Sequence, residues 1–432
     1  MKRIQFVISD LDNGAARQMR LLADLLPRDR FEVSICVLGR EDVSEYPASA
    51  RGVRPLFLGW TRTLDPQPLL RLRQHIEHVR PDVLHTWDRA SLRWSVLALQ
   101  LVDAKTRSQT RLISGDSFGR SIRRRAQSWP DRLLNRWPDR FTAAGAWEAS
   151  VHRAWGIPEG RIRIIPPGIH ADFGDPAVSS ILAGRDSGAE APSSVSPGFS
   201  PSPVRREGKA GGDFPSSVPP ISKHHASGRR AQADQTTVND PLPSLLPVDV
   251  RYFACVGQSS RDDNFLPVIW TLDIVRRVHK NVHLVIMGRG SERSRLRQFA
   301  RDIRVENKVH FVERPLHLGP VLSRATAVLV PGTGSWATQT TLEAMAAARP
   351  VVAFQHPSLA DLIVDSETGY LVPRDDKPEL ARKIHTIVQS QEMASRLGAA
   401  GRERVRRHFS AAEMVERYAR LYEGSVRLQA AA

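Results

Sequence analysis

Apolar and polar positions along this chain alternate with two different periods, and the switches between them outline a repeated strand-then-helix order. Ile4–Ser9 is a short apolar run that predicts a strand, Asp10–Gly14 predicts a loop, and Ala15–Leu26 places Met19, Leu22 and Leu26 on one helix face. Phe31, Val33, Ile35 and Val37 alternate with other residues, the period of a strand. A strand at Leu56–Leu58, a helix at Pro66–Val79, a strand ending at His85, a strand at Arg111–Ser114 and a helix at Ala146–Trp155 continue the series. A second series starts at Tyr252–Val256, with a helix at Phe265–Val278, strands at His283–Met287 and Val309–Val312, and helices at Pro378–Ser390 and Ala411–Tyr422. Its clearest unit is Val328–Phe354. Val328, Leu329 and Val330 stop at Pro331, a Gly-containing loop follows, a helix-forming run carries Leu342, Glu343, Met345 and Ala346, and Val351–Phe354 resumes the apolar pattern. Pro350 ends the helix, because proline disfavours helical geometry in the residue before it. Bare apolar runs around a helix predict a βαβ unit of a parallel sheet with a right-handed crossover. Ligands of such sheets sit beyond the carboxyl ends of the strands, so loop 331–339 and the following helix are candidates to bind one. Free backbone N–H groups there suit an anion.

The periodicity fails between residues 175 and 247, where Ser, Pro, Gly and scattered charge predominate. Such a segment cannot bury enough apolar surface to offset its chain entropy and is expected to be a disordered insert or linker. As a coil it spans about 45 Å. The total of 432 residues exceeds what one core usually supports, so domains are expected at 1–174 and 248–408, with a separate helical tail at 409–432.

Composition narrows the chemistry. Cys36 and Cys255 both fall in predicted strands, which suggests buried free thiols, and no metal-ligand cluster is evident. The opening MKRIQFVISD has too short an apolar run for a signal peptide, and no run approaches about 18 apolar residues, the length of a membrane-spanning helix. A net charge of +16 asks for an anionic partner. Nucleic acid is not expected, since the basic residues are dispersed and neither an aromatic RNA-binding signature nor a helix-turn-helix is evident. A phosphorylated substrate and an anionic membrane surface remain. Residues 120–140 mix arginine with Trp129, Leu133, Leu134 and Trp137, which suits a membrane interface. A solvated helix with Leu133, Leu134 and Trp137 packed inward fits the same pattern.

Glu343 admits two readings. Thr340-Thr341-Leu342-Glu343 fits a capping box, in which Glu343 serves only the helix start. Alternatively its carboxylate accepts hydrogen bonds from a ribose diol, as acidic residues do in nucleotide folds. The surrounding LEAMAAARPVVA, with ETGYLVP downstream, resembles the signature of the retaining, group 1 (family 4) glycosyltransferases of GT-B fold. Four further stretches resemble the same family: Asn13-Gly14-Ala15-Ala16-Arg17, Arg80–His85, the run Gly156–Ile169 and Gly288-Arg289-Gly290-Ser291-Glu292.

The resemblance implies an α/β fold of two Rossmann-like domains whose parallel sheets face a central cleft, with the last helix crossing back to the first domain. It implies transfer of a sugar, with retention, from a nucleotide-diphosphate donor to a hydroxyl on a glycan or lipid-linked acceptor. The setting would be polysaccharide, glycolipid or cell-envelope glycan synthesis, in the cytoplasm or at the inner face of its membrane. No cofactor is implied beyond the nucleotide sugar itself. Gly14, Gly257, Gln258, Gly288, Gly290, Thr338, Gln339 and Glu343 take the donor-binding positions, the glycines letting the nucleotide approach the backbone and the amides near Thr338 and Gln339 facing the diphosphate. His85 would stand near the cleft, or else bond a neighbouring loop; Asp116 could contact the sugar, or else simply form a turn. Departures from the pattern are equally specific. Gln258 and Asp263 stand where relatives carry an Arg and a Lys for the diphosphate, Ser335 replaces a Glu, Gly115 replaces a His, and Pro357-Ser358 replaces Gly-Gly. Restoring the two cations is expected to tighten diphosphate binding, unless Arg261, Arg289 or another base already substitutes. A degenerate, non-catalytic GT-B protein is the alternative.

Overall fold

The computed structural model describes residues 1–40, 53–60, 65–115, 129–170, 173, 246, 250–313 and 318–424. The expected insert at 175–247, apart from Leu246, lies outside the described residues. Two all-parallel sheets result. The first contains β1 (Lys2–Ile8), β2 (Phe31–Val37), β3 (Leu56–Phe57), β4 (Val83–Thr86), β5 (Arg111–Ser114), β6 (Arg140–Ala143) and β7 (Ile162–Ile164), in the order β3-β2-β1-β4-β5-β6-β7. The second contains β8 (Arg251–Val256), β9 (Val282–Met287), β10 (Val309–Val312), β11 (Ala327–Val330), β12 (Val351–Phe354) and β13 (Tyr370–Val372), in the order β10-β9-β8-β11-β12-β13. Strand order therefore reverses beside β1 in one sheet and beside β8 in the other. Each reversal leaves a crevice beyond the carboxyl ends of the strands.

The apolar runs read as buried strands are buried on both faces. In β8, Tyr252, Ala254 and Val256 join one core and Phe253 and Cys255 the other, the period of two expected of a sheet covered by helices on either side. β11 and β12 pair with Val328 opposite Val351, which realises the predicted βαβ unit. Both cysteines are free and buried. The last strand of the first sheet falls within the run Gly156–Ile169 that carried the resemblance. It occupies Ile162–Ile164, and Arg163 and Ile164 are exposed on this edge, so apolar content did not mark it.

The chain crosses back after a helix at Gln391–His408 that the sequence pattern did not suggest. Ser410 bridges Ile169, and the helix Ala411–Glu423 sends Met414, Tyr418 and Tyr422 into the first domain's core beside Met19 and Leu22. Lys2 Nζ fixes its end by donating to the carbonyl of Tyr422 at 3.0 Å.

Candidate functional site

The crevice is built by two helices that start at the switch points. Gly14–Leu25 follows β1, and Ser335–Ala346 follows β11. They pack side by side and parallel: Gly14 N–H donates to Ser335 Oγ at 3.3 Å, Gln18 Nε2 donates to Gln339 Oε1 at 2.8 Å, and Arg17 pairs with Glu343 at 2.8 Å. Both amino-terminal ends thus open at one mouth. Each end carries about half a positive charge, so together they favour an anion there. Gly14 is required for this approach, because a Cβ would overlap the Ser335 carbonyl group, its carbon lying only 2.7 Å away. On the other side of the crevice, Trp147 N–H donates to Asp361 Oδ2 at 3.2 Å and the Trp147 ring meets His356 edge-on at 4.8 Å.

Glu343 sits two turns behind the mouth with its side chain wholly buried. Gln339 Nε2 donates to its carboxylate at 2.8 Å, and the Arg17 guanidinium lies 5.8 Å from the Trp336 ring centroid. Gln18 in turn both donates to and accepts from the backbone of Gly168, at 2.9 Å each way. The capping-box reading of Glu343 is overturned. The helix begins at Ser335 with Gly334 as its N-cap, so Thr340 lies in its interior. Thr338 and Gln339 are likewise inside the helix, and the first-turn amides belong to Ser335, Trp336 and Ala337. The start was hidden because every residue from Trp336 to Ala346 is buried, which erases the helical period.

The loop after β8 is folded around Asp263. Its Oδ2 accepts from Gln258 N–H at 3.1 Å and from Ser260 N–H and Oγ at 2.8 Å each. Burial pushes this carboxyl up, while the donors of Ser260 and Gln258 hold it down. Asp263 is therefore a structural carboxylate in the place where resemblance expects a lysine. Gln258 Nε2 donates to the carbonyl of Asp12, joining the loop to the first domain. A Cβ on Gly257 would lie 2.7 Å from Asp263 Cγ, and side chains on Gly288 and Gly290 would overlap the carbonyls of Gly257 and Gln258. Gly288 also has φ +138°. These glycines admit the neighbouring loop, a different reason from the ligand approach expected of them. Arg261 is 85 % exposed and paired with Glu292, and Arg289 is paired with Glu313.

His85 stands apart from the crevice, contrary to expectation. It is fully buried and shares a 2.8 Å hydrogen bond between Nδ1 and the Tyr422 hydroxyl, with the Trp87 ring 4.7 Å away. Alternation along β4 turns it toward the returning terminal helix, and burial pushes it down to about 3. Asp116 lies outside the described residues. Sequence reasoning missed Arg17, Gln18 and Trp336; only the placement of Arg17 within the resembling NGAAR loop could have singled it out. No group of three or more metal-ligating side chains occurs among the described residues.

Two Rossmann-like sheets facing one crevice define the GT-B class. The description "Glycosyltransferase Family 4" matches residues 12–173 and "Glycosyl transferases group 1" matches residues 251–390. The chain belongs to these group 1 (family 4) glycosyltransferases. Its fold is similar to that of Anabaena Alr3699/HepE in complex with UDP and glucose, with a TM-score of 0.71 and 13 % identity over 98 % of this chain and 100 % of that one. It also resembles a glycosyltransferase from Rickettsia africae ESF-5, with a TM-score of 0.68 and 13 % identity over 99 % of each chain. Among curated proteins, glycogen synthase of Mycobacterium tuberculosis is 28 % identical over 169 residues, 39 % of this chain and 40 % of that protein. The lipopolysaccharide core glycosyltransferase LpsE of Rhizobium meliloti is 25 % identical over 201 residues, 46 % of this chain and 56 % of that protein. The matches thus span between two fifths and three fifths of these relatives' length.

Proposed function

We propose that the protein transfers a sugar, with retention, from a nucleoside-diphosphate donor to a hydroxyl of a glycan or lipid-linked acceptor in envelope or storage glycan synthesis. The observation that carries this reading is the shared mouth of the helices Gly14–Leu25 and Ser335–Ala346, with Arg17 and Glu343 directly behind it. Helix-end amides at that mouth suit the diphosphate, and the Glu343 carboxylate suits a ribose diol. Catalysis is then largely electrostatic. The anomeric C–O bond to phosphate breaks as the acceptor oxygen bonds to the same carbon, its proton passing to the departing diphosphate. The helix ends stabilise the charge that develops on the leaving group. Calorimetric titration with UDP-, GDP- and ADP-sugars, followed by an assay for release of the free diphosphate, tests the reading. One donor should bind and be consumed. Binding of a donor without turnover over a range of glycan and lipid acceptors would favour the degenerate alternative, and no binding at all would end the donor reading.

The acceptor side of this proposal is a membrane surface. Leu133 and Trp137 are 42 % and 47 % exposed, beside the exposed Arg132 and Arg136, so of the three apolar residues only Leu134 packs inward. Residues 120–128 lie outside the described residues, and none of the described helices is long and apolar enough to cross a membrane. Vesicles containing anionic lipid should carry the protein upward on flotation, and added salt should weaken this. Equal binding to neutral vesicles would overturn the electrostatic part.

A further inference from the structure

We propose that Arg17 is the cation the first domain lends to the donor diphosphate, and that it leaves Glu343 to do so. This rests on the nucleotide-donor reading above. Arg17 is the fourth residue of its helix, close to the mouth, and its guanidinium holds Glu343 at 2.8 Å. The carboxylate is wholly buried, whereas the Arg17 side chain in front of it keeps 25 % of its exposure. A ribose that takes the carboxylate thus displaces the guanidinium that now holds it. The crevice loops supply little else. In the described loops after β1, β8, β9 and β11, residues 9–13, 257–264, 288–292 and 331–334, the basic residues are Arg261 and Arg289. Arg261 reaches into solvent toward Glu292, and Arg289 turns to Glu313. Gln258 is tied to Asp12, and Asp263 is a buried loop anchor.

The exchange leaves charge and hydrogen bonds balanced. Without donor, the guanidinium and the Glu343 carboxylate neutralise one another across the two domains. With donor, the ribose hydroxyls and the Gln339 amide supply hydrogen bonds to the carboxylate, an acceptor-only group. The planar guanidinium, with five N–H donors, is well shaped to grip the phosphate oxygens. Arg17 is thus a latch between the domains in one state and a phosphate ligand in the other, and the donor's two halves together drive the change.

Affinities of the full-length chain for UDP, GDP and ADP, each paired with its monophosphate, test the assignment in wild type, Arg17→Gln and Arg17→Lys. Wild type should prefer one diphosphate over its monophosphate. Arg17→Gln should weaken that diphosphate about 10- to 100-fold, the range of a charged hydrogen bond, and leave the monophosphate little changed. Arg17→Lys should recover part of the preference. If wild type binds none of the nucleotides, the donor reading fails, and this inference with it. If wild type binds a diphosphate and Arg17→Gln binds it as well, or loses both nucleotides equally along with thermal stability, Arg17 is no phosphate ligand while the donor reading stands. Should Arg17→Gln not fold, Arg17→Lys decides: a reduced diphosphate preference supports the assignment, and an unchanged one overturns it.

Discussion

Asp263→Lys is expected to destabilise the second domain by roughly 3 kcal/mol or more, through three donors that lose their common acceptor, and to weaken donor binding. Resemblance alone expects the reverse, since a lysine is the family's residue at that place. The difference lies in what the carboxylate does here. It draws in two backbone N–H groups and the Ser260 hydroxyl, and so shapes the loop from Gln258 to Asp263. A lysine offers no acceptor, so three donors lose their partner, and each buried donor left unmet costs about 1–3 kcal/mol. The same loop rests on Gly257, Gly288 and Gly290, where there is no room for it to shift. Urea unfolding followed at two wavelengths, together with UDP titration, measures both effects. A Gln258→Arg/Asp263→Lys variant that kept wild-type stability and bound diphosphate more tightly would show that a cationic site can be rebuilt here.

The sheets were legible in the sequence to the extent that burial was symmetrical. β8, β9, β11 and β12 are largely apolar runs, and their places along the chain follow from the runs alone. β6 opens on Arg140, and Arg163 and Ile164 of β7 are exposed, so both strands carried too little apolar signal. The helix Gln391–His408 was concealed by Gly398 and Gly401 in its interior, residues that lower helical propensity. Gly398 is there because a side chain would overlap the carbonyl of Ala348, so close packing against the end of the helix Ser335–Ala346 prevailed over propensity. At the candidate site, pairings across the two domains were not readable. Glu343 stood out within its motif, yet its partner Arg17 comes from the other domain, and no local pattern connects them. The glycines at 14, 257, 288 and 290 each admit a neighbouring stretch of the chain's own atoms, a requirement that a sequence cannot distinguish from the approach of a ligand.

The first domain is expected to lose about 4 kcal/mol of stability between pH 7 and pH 5, through His85 and His152. Burial pushes His85 down to about 3 and His152 to about 4, from an ordinary value of 6.5. The unfolded chain therefore takes up protons first as pH falls. The stability tied to these neutral rings is present in full above pH 6.5 and drains as pH drops through it, at about 1.4 kcal/mol per unit for each ring, until the folded values are reached. One and a half units for two rings give the total. The two residues differ in what replaces them. Neither ring nitrogen of His152 has a hydrogen-bond partner among the described residues, and the ring packs on Phe141 and Trp155 at 5.6 Å from each centroid. His152→Phe should hold its stability at pH 7 and remove about half of the acid loss. His85→Phe should also flatten the curve, but it strands the buried Tyr422 hydroxyl and lowers stability by about 1–3 kcal/mol at every pH. Unfolding by urea at pH 7, 6 and 5 for the three proteins separates these outcomes, and a His152→Phe curve parallel to wild type would show that the ring takes up its proton as readily in the folded chain as in the unfolded one.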